Sequence, residues 1–340
     1  MDDMPRIAAA FILSGATSQD SLDAGLAWYG SLVEQIRNFR FDPFDRVGSA
    51  AKTFAYLHSA WLCQYNRGST TLLDIMGKKQ FNCVSATILY NLICEDMGWS
   101  TEAFETPTHV YTVFTNFTQN VMVENTTPMG FDIMKNLKQY SQFLLQYYPQ
   151  NRALQIGLDR LYVHEHSRGR PIDNTELLGL LAYNRAYQME GRGDYESAYG
   201  MVLLAQLFNA DSRSNIDFEI GLFHQWGETL FQSKQYSEAY GVYVLGGKRH
   251  PEVGGFRTNA RAAFLNGLHL SWNEKNWEES RLLLRSCTDL SAFGENDLQV
   301  LQSVLQNWTV FLVQGGRSEE AKEAFGFLER FKFRNSTESP

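Results

Sequence analysis

The chain has 340 residues, 44% hydrophobic and 20% charged, with 38 acidic residues against 30 basic and a net charge of −8. That length and apolar content allow a sizeable core and about two domains, with no metal or disulfide staple required. The acidic balance argues against a nucleic-acid partner, and no run approaches the ~20 apolar residues of a membrane span. Four cysteines, Cys63, Cys83, Cys94 and Cys287, show no CxxC spacing; that usage favours a reducing compartment, the cytoplasm. The opening "MDDMPRIAAAFILSG" carries acids where a signal peptide would carry positive charge. No export signal is expected, so the sequons at Asn116, Asn125, Asn307 and Asn335 carry little weight.

In chain order, residues 1–45 read as an N-terminal helical segment, with Ile7, Phe11, Leu26, Leu32 and Ile36 at near-helical spacing and a break at Pro43. Residues 46–66 resume a helix, and "GSTTLLDIMGKKQ" reads as a short one ended by Gly77. An apolar helix starts near Cys83 and runs to Met97, with Gly98 as its C′ residue. The period then changes: "EAFET", "HVYTVFT" and "NVMVENT" alternate and are rich in Val, Phe, Tyr and Thr, as strands are. From Leu137 the pattern is helical almost to the end. These changes divide the chain into 1–45, an α+β domain at 46–145, a helical linker at 146–175, helical repeats at 176–327 and a tail at 328–340.

The repeats show as "GDYESAY", "KQYSEAY", "KNWEESR" and "GRSEEAK", whose third residues, Tyr195, Tyr236, Trp277 and Ser318, each stand 41 residues after the last. Three residues on come Ala198, Ala239, Ser280 and Ala321, small enough to let two helices approach closely. Each phrase follows an apolar helix, so the unit is a helix–turn–helix. The pattern resembles the tetratricopeptide repeat, whose usual period is about 34 residues. The extra length is expected in the inter-repeat loops "NADSRSNID" and "KRHPEVGGFRT". The resemblance implies an all-α solenoid that binds a protein or peptide partner.

Cys83 opens its helix, where the macrodipole and unpaired N–H groups favour a thiolate. The N–H groups of Cys83 and Val84 are placed to support an oxyanion. Gln80 and Asn82 are further donor candidates, with helix capping as the alternative role. A thiolate nucleophile wants a base, and the base an orienting group. His109 opens one strand and Glu124 closes the next. A hairpin with an even loop centred between Asn116 and Phe117 sets them directly opposite each other on one face.

The run "NCVSATILY…GW…TPTHVYTVF…VMVENT" resembles the transglutaminase-like branch of the papain-type cysteine superfamily. The resemblance implies a catalytic triad of Cys83 as nucleophile, His109 as general base and acid, and Glu124 as the orienting acid, with no cofactor. Tyr111 stands where many members carry Trp, and Glu124 where many carry Asp. Bacterial proteins that pair such a domain with helical repeats are the nearest in organisation. The implied function is hydrolysis or acyl transfer at an amide bond of a protein or peptide. Two rival classes remain: a non-catalytic interaction module, and a metal hydrolase built on His164 and His166. Cys94 and the tryptophans of the repeats read as packing, and His224, His250 and His269 as surface or groove polar groups.

Overall fold

The computed structural model describes residues 4–116, 120–136, 140, 145, 163–164, 166–287 and 293–332. The chain is α+β and divides into two compact units, Met1–Asn215 and Ile216–Pro340.

The first unit opens with α1 (Arg6–Ser14) and α2 (Gln19–Arg37). The single helical run expected here is broken at Gly15, whose φ of 105° lies in the left-handed region; Ser18 then caps α2. After α3 (Arg46–Ala60) and the short β1 (Gln64–Tyr65) comes α4 (Leu72–Lys78). This helix continues past Gly77 and ends at Lys79, which takes the left-handed conformation itself. β2 (Gln80–Phe81) pairs in parallel with β1 and delivers the chain to α5 (Cys83–Asp96). Eleven of the 14 residues of α5 are buried, so it is the central helix of the unit.

Strands β3 (Ser100–Glu105), β4 (Val110–Thr115), β5 (Asn120–Val123) and β6 (Arg170–Ile172) form an antiparallel sheet in the order β5-β4-β3-β6. Val110, Thr112 and Phe114 of β4 face the α5 side, where Val110 and Phe114 join the main core. Tyr111 lies in a second cluster with Met122, Ile133 and Tyr140. β6 falls in the stretch 146–175 expected as a helical linker, of which residues 146–162 lie outside the described residues.

α6 (Asn174–Glu190) and α7 (Tyr195–Phe208) are the first repeat phrase made structural. They belong to the first unit, since Leu177, Leu178, Leu181 and Ala182 share one core with α1, α2 and α5. The division of the chain therefore falls one helix pair later than residue 176.

α8 (Arg213–Gln232) straddles the division, and the second unit continues with α9 (Tyr236–Arg249), α10 (Gly254–Asn273), α11 (Trp277–Ser286), α12 (Glu295–Gln314) and α13 (Ser318–Lys332). Tyr195, Tyr236, Trp277 and Ser318 are the first residues of α7, α9, α11 and α13. Ala198, Ala239 and Ser280 are fully buried and Ala321 nearly so. The long period is housed in the helices: α8, α10 and α12 are each 20 residues, and of the two stretches expected as inter-repeat loops only 209–212 and 250–253 lie outside a helix. His250 is buried and hydrogen bonded to Glu219 at 2.9 Å, with Arg249 completing the ion pair. A surface or groove placement would have required neither partner.

Candidate active site

Three elements meet at Cys83. β2 turns into α5 at Asn82, whose side-chain oxygen accepts the N–H groups of Val84 (3.0 Å) and Ser85 (3.1 Å). Ser85 Oγ accepts the Asn82 N–H in return, completing a capping box. Asn82 Nδ2 donates to the Arg67 carbonyl at 3.2 Å. Asn82 is thus a structural cap, and the Val84 N–H is already committed to it. The Cys83 N–H is the first-turn donor the cap leaves at the mouth of the helix. Gln80 lies elsewhere: its amide donates to Gln64 at 3.1 Å and accepts from Asn66 and Ser69 at 3.2 Å each.

His109 stands beyond a tight turn. Thr106 donates its N–H to the His109 carbonyl at 2.8 Å, continuing the β3–β4 ladder, so only Pro107 and Thr108 turn the corner. A proline at the first turn position and a short polar residue at the second suit such a connection. His109 N–H donates back to Thr106 Oγ1 at 3.1 Å, which pins the backbone of the imidazole's own residue.

The β4–β5 register differs from the one expected by two residues. Thr112 pairs with Val123 and Thr115 with Asn120, leaving residues 116–119 as the connection. Continued past the strand ends, this sets Glu124 opposite Tyr111 and diagonal to His109. A shift of two preserves the face of every side chain, whereas a shift of one would reverse it. Diagonal neighbours are ~7–8 Å apart at the backbone. The extra methylene of glutamate helps to span that distance. His109 Nε2 donates to Glu124 Oε2 at 2.7 Å, with the two side chains 1% and 0% exposed.

Cys83 lines the same cleft as His109 and acts electrostatically on the imidazole, whose Nε2 is taken by Glu124. Burial alone would push the His109 pKa down, but the Glu124 carboxylate and Cys83 outweigh it and raise it to about 10. Glu124 is held in turn: its Oε1 accepts the Thr126 N–H at 3.0 Å and the Thr126 hydroxyl at 2.6 Å. Behind it the chain doubles back so closely that a Cβ at Gly130 would lie 1.8 Å from the Glu124 carbonyl oxygen. Only glycine fits there.

Thr126 carried no assignment in the sequence reading, nor did the polar seam beneath it. Asn125 Nδ2 donates to Thr112 (2.8 Å) and Thr87 (3.2 Å), Thr112 donates to Asn91 (2.5 Å), and Asn91 donates to Asn174 (2.8 Å). The signal was present, since Thr87 and Asn91 stand four apart on an otherwise apolar stretch and therefore share a face. His58 sits close behind Glu124 and Asn125; burial dominates, lowering its pKa to about 4.

Cys83 and His109 open onto a cleft of about 190 Å³ walled by Glu105 on one side and by Leu180, Tyr183 and Asn184 of α6 on the other. Tyr111 does not line it: its hydroxyl hydrogen bonds to His166 Nε2 at 2.5 Å, and its ring stacks on Phe104. Among the described residues no three metal-ligating side chains cluster, around His164 and His166 or elsewhere. Compared with known proteins, the chain matches no family model and no curated protein.

Proposed function

We propose that the chain is a transglutaminase-like cysteine enzyme that cleaves or transfers the acyl group of an amide. The observation that carries this reading is the buried relay His109–Glu124–Thr126, with Cys83 beside the imidazole in one cleft. In the first step Cys83 Sγ, its proton already held by His109 as the imidazolium, bonds to the amide carbonyl carbon. The Cys83 N–H supports the oxyanion. The C–N bond then breaks as His109 returns the proton to the departing amine, leaving an S-acyl enzyme. Water or a second amine, deprotonated by the same imidazole, releases the acyl group. Glu124 holds the imidazole orientation throughout, and Thr126 holds Glu124.

The helix pairs of the second unit, on this reading, are a tetratricopeptide-like module that recruits a protein or peptide. All four cysteines are free, which fits a reducing compartment such as the cytoplasm. Among the described residues no helix is long and apolar enough to cross a membrane.

The test is site-resolved alkylation by iodoacetamide near neutral pH, with exposed Cys63 as an internal reference. Cys83 should react about tenfold faster than Cys63 or more, and His109→Ala should abolish the advantage. A Cys83 that reacts no faster, with no change in His109→Ala, would leave the interaction module as the correct reading.

A further inference from the structure

The cleft carries a charge that the three-residue chain does not use. Besides Cys83 and His109, the only ionisable carboxyl or amine among its described lining residues is Glu105, the last residue of β3. The Glu105 side chain is 14% exposed, and its Oε2 stands 3.2 Å from the Arg170 guanidinium on the neighbouring strand β6. That guanidinium is not its alone. Arg170 Nη1 donates to Glu176 at 2.8 Å, and its Nη2 also donates to Asn209. Two carboxylates therefore share one cation, and with both ionised the Glu105–Arg170–Glu176 cluster beside the cleft carries one net negative charge. In a half-enclosed site such a charge is screened less than on open surface and attracts a cation more strongly. Burial raises the Glu105 pKa, and Arg170 and Asn209 offset that only in part, so the net direction is up.

We propose that Glu105 is a specificity residue, and that the substrate acylating Cys83 carries a positive group beside its reactive amide: a free α-amine or a basic side chain. The inference rests on the cysteine-enzyme reading and deepens it.

Three small thiol reagents of different charge test it: 2-(trimethylammonium)ethyl, 2-sulfonatoethyl and methyl methanethiosulfonate. Each forms a mixed disulfide with Cys83 Sγ and expels methanesulfinate, the thiol proton being held by His109. Rates are read at Cys83 and Cys63 separately by peptide mass spectrometry. The cationic-to-anionic rate ratio at Cys83 should exceed that at Cys63 in the same molecule, which requires no variant. Glu105→Gln should lower the Cys83 ratio about tenfold and leave the Cys63 ratio unchanged. Arg170→Gln removes the shared cation and with it a group that lowers the Glu105 pKa, so in that variant the ratio should rise with pH as Glu105 ionises. An equal ratio at both cysteines in the wild type, or a Cys83 ratio indifferent to both variants, overturns the proposal. The neutral methyl reagent tests the underlying reading by itself. If it modifies Cys83 no faster than Cys63, and His109→Ala changes nothing, the enzyme reading fails. If it modifies Cys83 rapidly while the charge ratios are flat, only the assignment of Glu105 fails.

Discussion

Thr126 is small, yet two of the donors that fix Glu124 come from it. Thr126→Val keeps the shape and removes the hydroxyl, so one oxygen of a fully buried carboxylate loses a charge-assisted bond. The expected cost is about 1–3 kcal/mol in unfolding free energy, together with a slower Cys83 alkylation. Thr126→Ser should restore both, which a purely steric role would not require. The two histidines near Glu124 act on stability in opposite directions. His109 has its pKa raised to about 10 from 6.5, so the stability it contributes is complete below pH 6.5 and is lost as pH rises toward 10. His58 has its pKa lowered to about 4, so its contribution is complete above pH 6.5 and is lost as pH falls toward 4. Urea unfolding across pH should show the alkaline limb flattened in His109→Gln and the acid limb flattened in His58→Gln. The reverse assignment of limbs would refute the pairing described for His109.

At the scale of elements, α5 shows why a capping residue and a catalytic donor must be told apart. Asn82 caps α5 with its oxygen, and aspartate offers an equivalent oxygen while lacking the amide donor. Asn82→Ala should cost about 1–2 kcal/mol, and Asn82→Asp much less, by chemical denaturation. Alkylation of Cys83 should follow stability in both variants. A stable Asn82→Asp protein with no Cys83 reactivity advantage would restore the donor role. The same region shows what a sequence makes legible. The order of helix, strand and strand around Cys83, His109 and Glu124 was readable because period changes from 3.6 to 2 are local. The β4–β5 register was not, since it depends on the length of the turn. β6 was hidden for a different reason: three residues containing Pro171 have no period to detect, and their partners on β3, in the core and at Glu176 and Asn209 are set by the tertiary fold. The four repeat phrases were legible at the level of single residues, with Tyr195, Tyr236 and Trp277 each starting a helix, because helix starts depend on local chemistry.

At the scale of the whole molecule, repeat arithmetic and compactness divide the chain at different places. By its phrase, the pair α6–α7 is the first of four. By packing it belongs with the α+β core, because Leu177, Leu178 and Leu181 are buried among residues of α1 and α5. Arg185 of the same helix donates to the Leu13 carbonyl at the end of α1 (2.7 Å). Asn174 at its start meets the Asn91 end of the polar seam. α6 also supplies one wall of the cleft beside Cys83. A fragment ending at residue 175 would expose those three leucines' partners at about 1.5–3 kcal/mol each, a loss comparable with the entire stability of a small domain. It should therefore be unfolded by circular dichroism. A fragment ending at residue 215 retains the helix pair and should unfold cooperatively, with Cys83 still reacting faster than Cys63. If the shorter fragment folds and keeps that reactivity, α6 is an attachment to the unit that carries Cys83; if it does not, this helix pair is part of the scaffold that holds the Cys83 cleft.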